Sequence, residues 1–559
     1  MKMKKGWKVL STAALLAVLA VTGCSQSAAP APQDAGSNSN AGAAPQQEPA
    51  GQADMTAKLR LNLKTEPPSL DPPKGFDSTS NEVLNATMEG LARLDQKHVP
   101  QPAMAEKWSV SEDGKTYTFT LRDTKWSNGD PVTAHDFEFA FKRILDPNNA
   151  FPSAFLAYYI EGAEAYNKGE GNADGVQVKA LDDKTLEVKL AAPAGYFLHI
   201  ITQPTFFPVN KKVVESNPKW AENASSIVTN GPFKMEDWVH DQSVKVVKND
   251  GYWDKDSVKY AGIDWIMVND ENTQYQMYKT GQLDMIQTVP IDLKAKLIES
   301  GEAKVEPEAA IYYYRMNTQM PPFTNANIRK AFALALDRKL LIENVVQGKQ
   351  IPALAHVPIG FPEPDGTDFR EKGGDFFKDN DVEQAKALLK KGMEEEGWTT
   401  LPPVTMTYNT SDTHKAIAQV MQEMYKKNLG VDVKLENKEW NVFLAEQRAR
   451  QLQFSRSTIP ADYGDPINFL ELFVTDHPGN RINYSNPDYD ALVAKIRNTA
   501  DEKERFGLMH EAESIFMNDM PLVPVYFNTK VFMDQPNIKG ILRHPVGTLD
   551  YKWAEIEKK

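Results

Sequence analysis

One cysteine, Cys24, occurs in the 559 residues of this chain. Without a second thiol no internal disulfide can form, and nothing after Cys24 can act as a thiol nucleophile or thiolate ligand. The fold must therefore be held by buried apolar surface. At this length the chain can bury a large core, divided among more than one domain.

The position of that cysteine is informative. Lys2, Lys4, Lys5 and Lys8 precede an apolar run, Val9 to Val21, which ends in "VTGC". The run is too short for a permanent bilayer span but suits the apolar stretch of a secretion signal. The ending resembles a bacterial lipobox, which implies cleavage before Cys24 and lipidation of its thiol; an ordinary signal with an incidental cysteine is the alternative. Residues 1–23 are thus expected to be a lipoprotein signal peptide. Residues 24–54 are rich in Ala, Pro, Gln, Ser, Asn and Gly and hold no aromatic residue. They are expected to be a disordered tether with a reach on the order of 30 Å. Removing the four lysines of residues 1–23 takes the net charge from −13 to −17. That acidity argues against nucleic acid or anionic lipid as the main partner.

The body mixes strand and helix patterns. "KLRLNLKT", "KTYTFTLR" and "VDVKLEN" read as strands, and "NEVLNATMEGLARL" carries a helical stripe through Val83, Leu84, Thr87, Met88 and Leu91. "TAHDFEFAFKRILDP" has a Thr133/Asp136 cap signal and a stop at Pro147. "NIRKAFALALDRKLLIENVVQG" predicts one helix closing at Gly348, and "SDTHKAIAQVMQEMYKKNLG" another closing at Gly430. No period of 20–50 residues repeats.

Enzyme signatures are missing. There is no G-x-S-x-G or H-E-x-x-H string, and "GKT" at Gly114–Thr116 lacks the upstream glycine of a phosphate loop and reads as a hairpin turn. The nine histidines show no metal-ligand spacing. No catalytic residue, metal or cofactor is expected. One string stays open: in "PADYGDP", Asp462 and Asp465 could be an acid/base couple, half a metal site, turn punctuation or an anchor for a cationic ligand.

A series of strings in order resolves the class. "SLDPP", "EGLARLD", "WSNGDPVTAHDFEFAFKRILDP", "TNGPFKMEDW", "NDGYWD", "YYYRMNTQMPPFTNANIRKAFALALDR", "YNTSDTHK", "NLGVDVKLENKEWNVFL" and "ADYGDPINFL" run from Ser69 to Leu470. Together they resemble the extracytoplasmic solute-binding proteins of ABC importers, and more narrowly the oligopeptide-binding group. The resemblance implies an α/β bilobal clamp of three domains with a hinge between lobes, drawn here near residues 212 and 315. It implies a lobe I core of 55–88, 212–315 and 528–559, an inserted domain at 89–211, and lobe II at 316–527. It further implies a monomeric receptor on the extracellular face of the cell membrane. Such a receptor passes short peptides to permease subunits driven by separate ATPases.

A general peptide receptor must read what all peptides share: the main chain and the two charged termini. The resemblance gives Asp462 to the ligand's amino terminus and makes Asp465 a turn or cap residue. Ile459, Pro460 and Ala461 stand on the strand that pairs with the ligand. The family's best-known form has Trp and Cys at 459 and 460, and Pro460 offers no N–H. Trp440 matches a pocket tryptophan, though a core position on its helix fits too. His414 and Arg456 match residues that meet the ligand carboxylate; the His414 position also continues an apolar stripe. A family arginine falls on Gln447, and Arg448 beside it points about 100° away around the helix. A family glutamate falls on Phe76, beside Asp77. Phe155 stands near a family tyrosine. Tyr313 is a candidate cleft residue, with Tyr312 and Tyr314 on the other face of their strand. Receptors of the same fold for dipeptides, cell-wall peptides, pheromones or a nickel complex remain alternatives, as does a tethered hydrolase using Asp462 and Asp465.

Overall fold

The alternating run at Lys58–Asn62 forms a strand whose Leu59 and Leu61 are fully buried. It pairs in parallel with Gly262–Ile266, which continues antiparallel to Ser243–Lys248 and then Phe233–Val239. The computed structural model describes residues 53–558 except 500 and 546–548. The expected signal, Cys24 and all but the last two residues of the expected tether lie outside them. Those two, Ala53 and Asp54, bond to the carboxy-terminal segment through Glu557 and Ile556. Among the described residues no helix is long and apolar enough to cross a membrane.

A second four-stranded sheet, in the order Ala105–Val110, Thr116–Leu121, Thr185–Lys189, Val178–Ala180, is antiparallel throughout. The "GKT" string is the turn of its first hairpin, with Gly114 at φ 70°. Helix Ala134–Leu145 packs on this sheet. Asp136 accepts the Thr133 N–H at 3.0 Å, as the cap signal predicts.

The third and largest sheet joins the two lobes. Its path runs Met285–Ile286, Leu522–Asp534, Lys304–Met316, Phe454–Pro460, Val404–Asn409, Val433–Lys438. The 304–316 and 522–534 strands are 13 residues each. At one end the 522–534 strand pairs with Met285–Ile286, and nearer its middle with Ile351–Pro352. The two long strands pair with each other on both sides of an irregularity between Pro307 and Ile311. A break in the ladder is where a strand pair bends most readily, so this pair is the crossing between lobes. Arg315 lies on it, but residue 212 does not. Lys212 sits in the short helix Lys211–Ser216, which contacts helix Ala134–Leu145.

Two helix expectations change. Helix Ser78–Thr87 stops short of Leu91, because the Thr87 carbonyl accepts the Gly231 N–H at 3.0 Å and not a helical donor. Residues 92–94 are then strand. The single helix expected through residue 348 is broken after Leu334. Asp337 caps a new turn by accepting the Leu340 N–H, and the buried Arg338 turns to Asp379 at 2.8 Å. The segment closes at Gln347, φ 53°, one residue before Gly348. Helix Asp412–Leu429 ends as predicted at Gly430, whose φ of 71° favours glycine.

Candidate functional site

Between the lobes lie two adjoining chambers of about 360 and 510 Å³. They share Lys64, Ser78, Gln287, Trp440, Arg456, Thr458, Thr529 and Val531 as walls. The lobes are drawn together around them. Arg448 Nη2 donates to the Phe76 carbonyl at 3.0 Å, Gln203 Nε2 to the Asp462 carbonyl at 2.7 Å, and Thr413 Oγ1 to Glu271 at 3.0 Å.

The strand Phe454–Pro460 supplies the backbone of the site. One edge pairs with the 304–316 strand along its whole length. The other edge pairs with Val404–Asn409 only at Phe454 and Ser455. From Arg456 to Pro460 that second edge carries no partner strand among the described residues. In an antiparallel pair, successive residues point their N–H and C=O alternately to the two sides. The Ala461 N–H bonds back to Ala309, while the Arg456 carbonyl accepts from Gln447 on the open side. The groups aimed into the cavity are therefore those of Arg456, Thr458 and Pro460. Because Pro460 has no N–H, this edge offers one donor fewer than an all-amide strand. Ile459 and Pro460 line the larger chamber; Ala461 is fully buried behind it, its N–H already spent.

Asp462 stands at the end of this edge, in the larger chamber. It has no cation partner among the described residues. Burial pushes its carboxyl up to about 7, with the Asn468 side chain drawing it down and the Glu471 charge adding to the rise. Asp465 is a different kind of residue. It receives Arg505 at 3.0 and 2.6 Å and the Ile467 N–H at 3.0 Å, all buried. The two carboxylates are thus separated by environment: one compensated inside the fold, one left open to the cavity.

The smaller chamber is cationic. Arg456 is buried, and its Nε bonds the neutral Asn409 Oδ1 at 2.6 Å. Its guanidinium lies 5.7 Å from the rings of both Trp440 and Phe443. His414 shares a 3.2 Å contact with the Tyr312 hydroxyl. Burial holds His414 well below the usual imidazole range, and Arg456, Lys64 and Lys294 press it further down. Lys64 and Lys294 are themselves depressed, chiefly by burial, and both line the chamber beside Glu271. The chamber thus gathers one imidazole and three cations around a single carboxylate, Glu271.

Most of the expected residues converge here. Trp440 lines both chambers. Phe76 and Phe155 meet edge to face at 5.7 Å in the larger chamber. Asp77 caps helix Ser78–Thr87 through its Oδ1, while its buried Oδ2 has no hydrogen-bond partner. Gln447 lines the same chamber. Tyr313 does not: it is fully buried against His356 and Arg315, and Tyr312 takes the cavity face. Strand alternation leaves only one of the two facing this chamber. Lys64, Lys294, Arg315 and Arg481 were not anticipated. They come from a strand end, a helix, the crossing strand and a loop, and no local pattern links them.

The comparisons agree with this geometry. The family model described as bacterial extracellular solute-binding proteins, family 5 Middle, matches residues 99–481. The chain is 52% identical to the dipeptide-binding protein DppE of Bacillus subtilis, over 89% of this chain and 91% of that one. It superposes on Listeria monocytogenes OppA bound to peptide with a TM-score of 0.84 at 33% identity, covering 90% of this chain and 100% of the other. Against the unliganded open form of the murein tripeptide binding protein MppA the TM-score is 0.62 at 31% identity, covering 91% and 99%. At nearly the same coverage this score is lower than that against the peptide-bound OppA. A cavity with a carboxylate that no cation answers among the described residues, an open strand edge and a cationic chamber fits a receptor that captures a solute, and the chain is a member of family 5 of the bacterial extracellular solute-binding proteins.

Proposed function

We propose that the protein is a lipid-anchored receptor that binds short oligopeptides between its lobes and hands them to an ABC permease. The observation that carries this reading is the open edge Arg456–Pro460, with the charge-unpaired Asp462 at one end and Arg456, His414, Lys64 and Lys294 at the other. Five strand residues at about 3.3 Å each give about 16 Å, the span of a tetra- or pentapeptide. An extended peptide added to that edge meets main-chain partners whatever its side chains. Its ammonium meets Asp462 and its carboxylate the cationic chamber. Asp465 is bound to Arg505 and so is not free to act as a catalytic partner of Asp462.

The rest of the assignment follows from this role. Residues 1–23 direct export, Cys24 carries the lipid, and 24–54 hold the body off the extracellular face of the membrane as a monomer. The chain divides into 55–88, 212–315 and 528–559 as lobe I core, 89–211 as the insertion and 316–527 as lobe II. Support comes from the two four-stranded sheets, whose strands fall wholly within the first and second of these groups.

Mass spectrometry of peptides that co-purify with the protein, followed by calorimetry over a length series, tests the reading. Tetra- and pentapeptides should bind best, and a protein that neither carries nor binds any peptide would overturn it. One observation favours a second reading, a dipeptide receptor: the 52% identical relative is named a dipeptide-binding protein. A maximum at two residues in the same series would select it.

A further inference from the structure

The larger chamber holds two arginines, Arg315 and Arg481, that have no carboxylate partner among the described residues. Arg315 is 5% exposed and donates through Nη1 to the Gly479 carbonyl at 3.2 Å. Arg481 donates through Nη1 to Gln447 Oε1 at 3.0 Å. Both acceptors are neutral, and the Nε of each arginine is buried without any hydrogen-bond partner. Of the other cations lining this chamber, the shared walls Arg456 and Lys64 also bond only neutral groups, whereas two are answered by carboxylates. Arg543 is paired with Asp534, and Lys530 faces Glu308 at 3.6 Å. Arg315 and Arg481 are also close enough to disfavour each other's charge, and burial with that repulsion lowers Arg481 to about 9. The Arg315 guanidinium is held over the Tyr313 and Phe473 rings at 5.3 and 5.8 Å, so it cannot readily swing away.

A buried guanidinium beside a half-buried one, each with its Nε out of water and no counter-charge among the described residues, is costly unless an anion arrives with the ligand. We propose that Arg481 and Arg315 form a carboxylate subsite in the Asp462 chamber, distinct from the cationic chamber at Arg456. This rests on the peptide reading above and names the ligand class: peptides that place a carboxylate near their amino end. The carboxylate has two sources. It is an Asp or Glu side chain in one of the first residues of a longer peptide, or the terminal carboxylate of a peptide too short to reach Arg456. Gln447 serves as a positioning residue, orienting the Arg481 fork. Arginine suits the task because its planar fork meets both carboxylate oxygens.

The experiment is calorimetry at pH 7.5 with the intact mature protein. One arm scans Glu against Gln through the first three positions of an alanine tetrapeptide. The other compares free-acid and amidated di- and tripeptides of alanine. In the wild type, at least one charged member should bind on the order of 10- to 100-fold tighter than its neutral counterpart. Arg481→Gln should bring that ratio to within about twofold of one. The arm in which the ratio appears identifies the source. Ratios near one in every wild-type pair overturn the subsite without any variant, and so does a large ratio that survives Arg481→Gln. If no tetrapeptide binds the wild type, the peptide reading itself has failed, and the subsite falls with it.

Discussion

Asp465 and Arg505 form a two-pronged buried ion pair at 3.0 and 2.6 Å, three residues beyond an Asp462 that faces the cavity with no cation. The same short string thus supplies one carboxylate to the fold and leaves one facing the cavity. That division predicts opposite phenotypes. Asp462→Asn should weaken binding of a tetrapeptide by roughly 3–5 kcal/mol, since it leaves the buried ammonium unpaired. N-acetylating the peptide should act alike, and the two together should cost less than their sum. Asp465→Asn should instead lower the melting temperature with little change in affinity. A larger binding loss at Asp465 than at Asp462 would reverse the assignment.

Asp462 also predicts a pH dependence. Its carboxyl is raised to about 7, chiefly by burial. An ammonium beside it favours the ionised form, so binding releases a proton wherever the carboxyl was still protonated. Affinity should be greatest above about pH 7 and fall as pH is lowered toward about 5. For folding the sign is opposite. A raised acid favours the folded state below its unfolded value, and that contribution is lost as pH rises through about 7. Calorimetry in buffers of different ionisation enthalpy measures the proton count. No release near pH 6.5, or an unchanged profile in Asp462→Asn, would count against it.

Arg456 predicts the behaviour of the other terminus. Among the described residues its side chain's only polar partners are Asn409 and, at 3.4 Å, Thr458. Arg456→Gln and carboxy-terminal amidation of a tetrapeptide should each cost about 1.5–3 kcal/mol, as expected for a hydrogen bond to a charged group. Their effects should overlap in a double cycle. Strict additivity would place the ligand carboxylate elsewhere.

The contacts between the lobes predict a measurable opening. Arg448 ties the lobes through the Phe76 carbonyl, and the 304–316 and 522–534 strands carry the bend. Small-angle scattering should show a larger radius of gyration without peptide than with it. Arg448→Ala should weaken peptide binding by favouring the open form. An identical scattering profile at saturating peptide would rule out lobe closure.

Cys24 predicts the anchor. The wild type should incorporate labelled palmitate and sediment with membranes, and Cys24→Ser should do neither. Labelling that persists in the variant would place the lipid on another residue.

What the sequence determined by itself was local. The Thr133/Asp136 box, the Ser411 cap and the Gly430 stop depend on groups within four residues of each other, so their geometry follows from short strings. The role proposed for Asp462 came by another route: a run of ordered motifs carried a family's role onto it. Tertiary structure decided the remainder. The expected long helix breaks at Asp337 because Arg338 finds Asp379, 41 residues on, and no helical pattern records that partner. Strand alternation could not choose between Tyr312 and Tyr313, because both faces of the crossing strand are covered and only the fold says which covering is the cavity. Asp465 was separated from Asp462 by Arg505, 40 residues distant. Arg315 and Arg481 became a pair only when a crossing strand and a loop met. Burial and charge compensation depend on which distant groups arrive, so an unanswered charge can be recognised only once every possible partner has been placed.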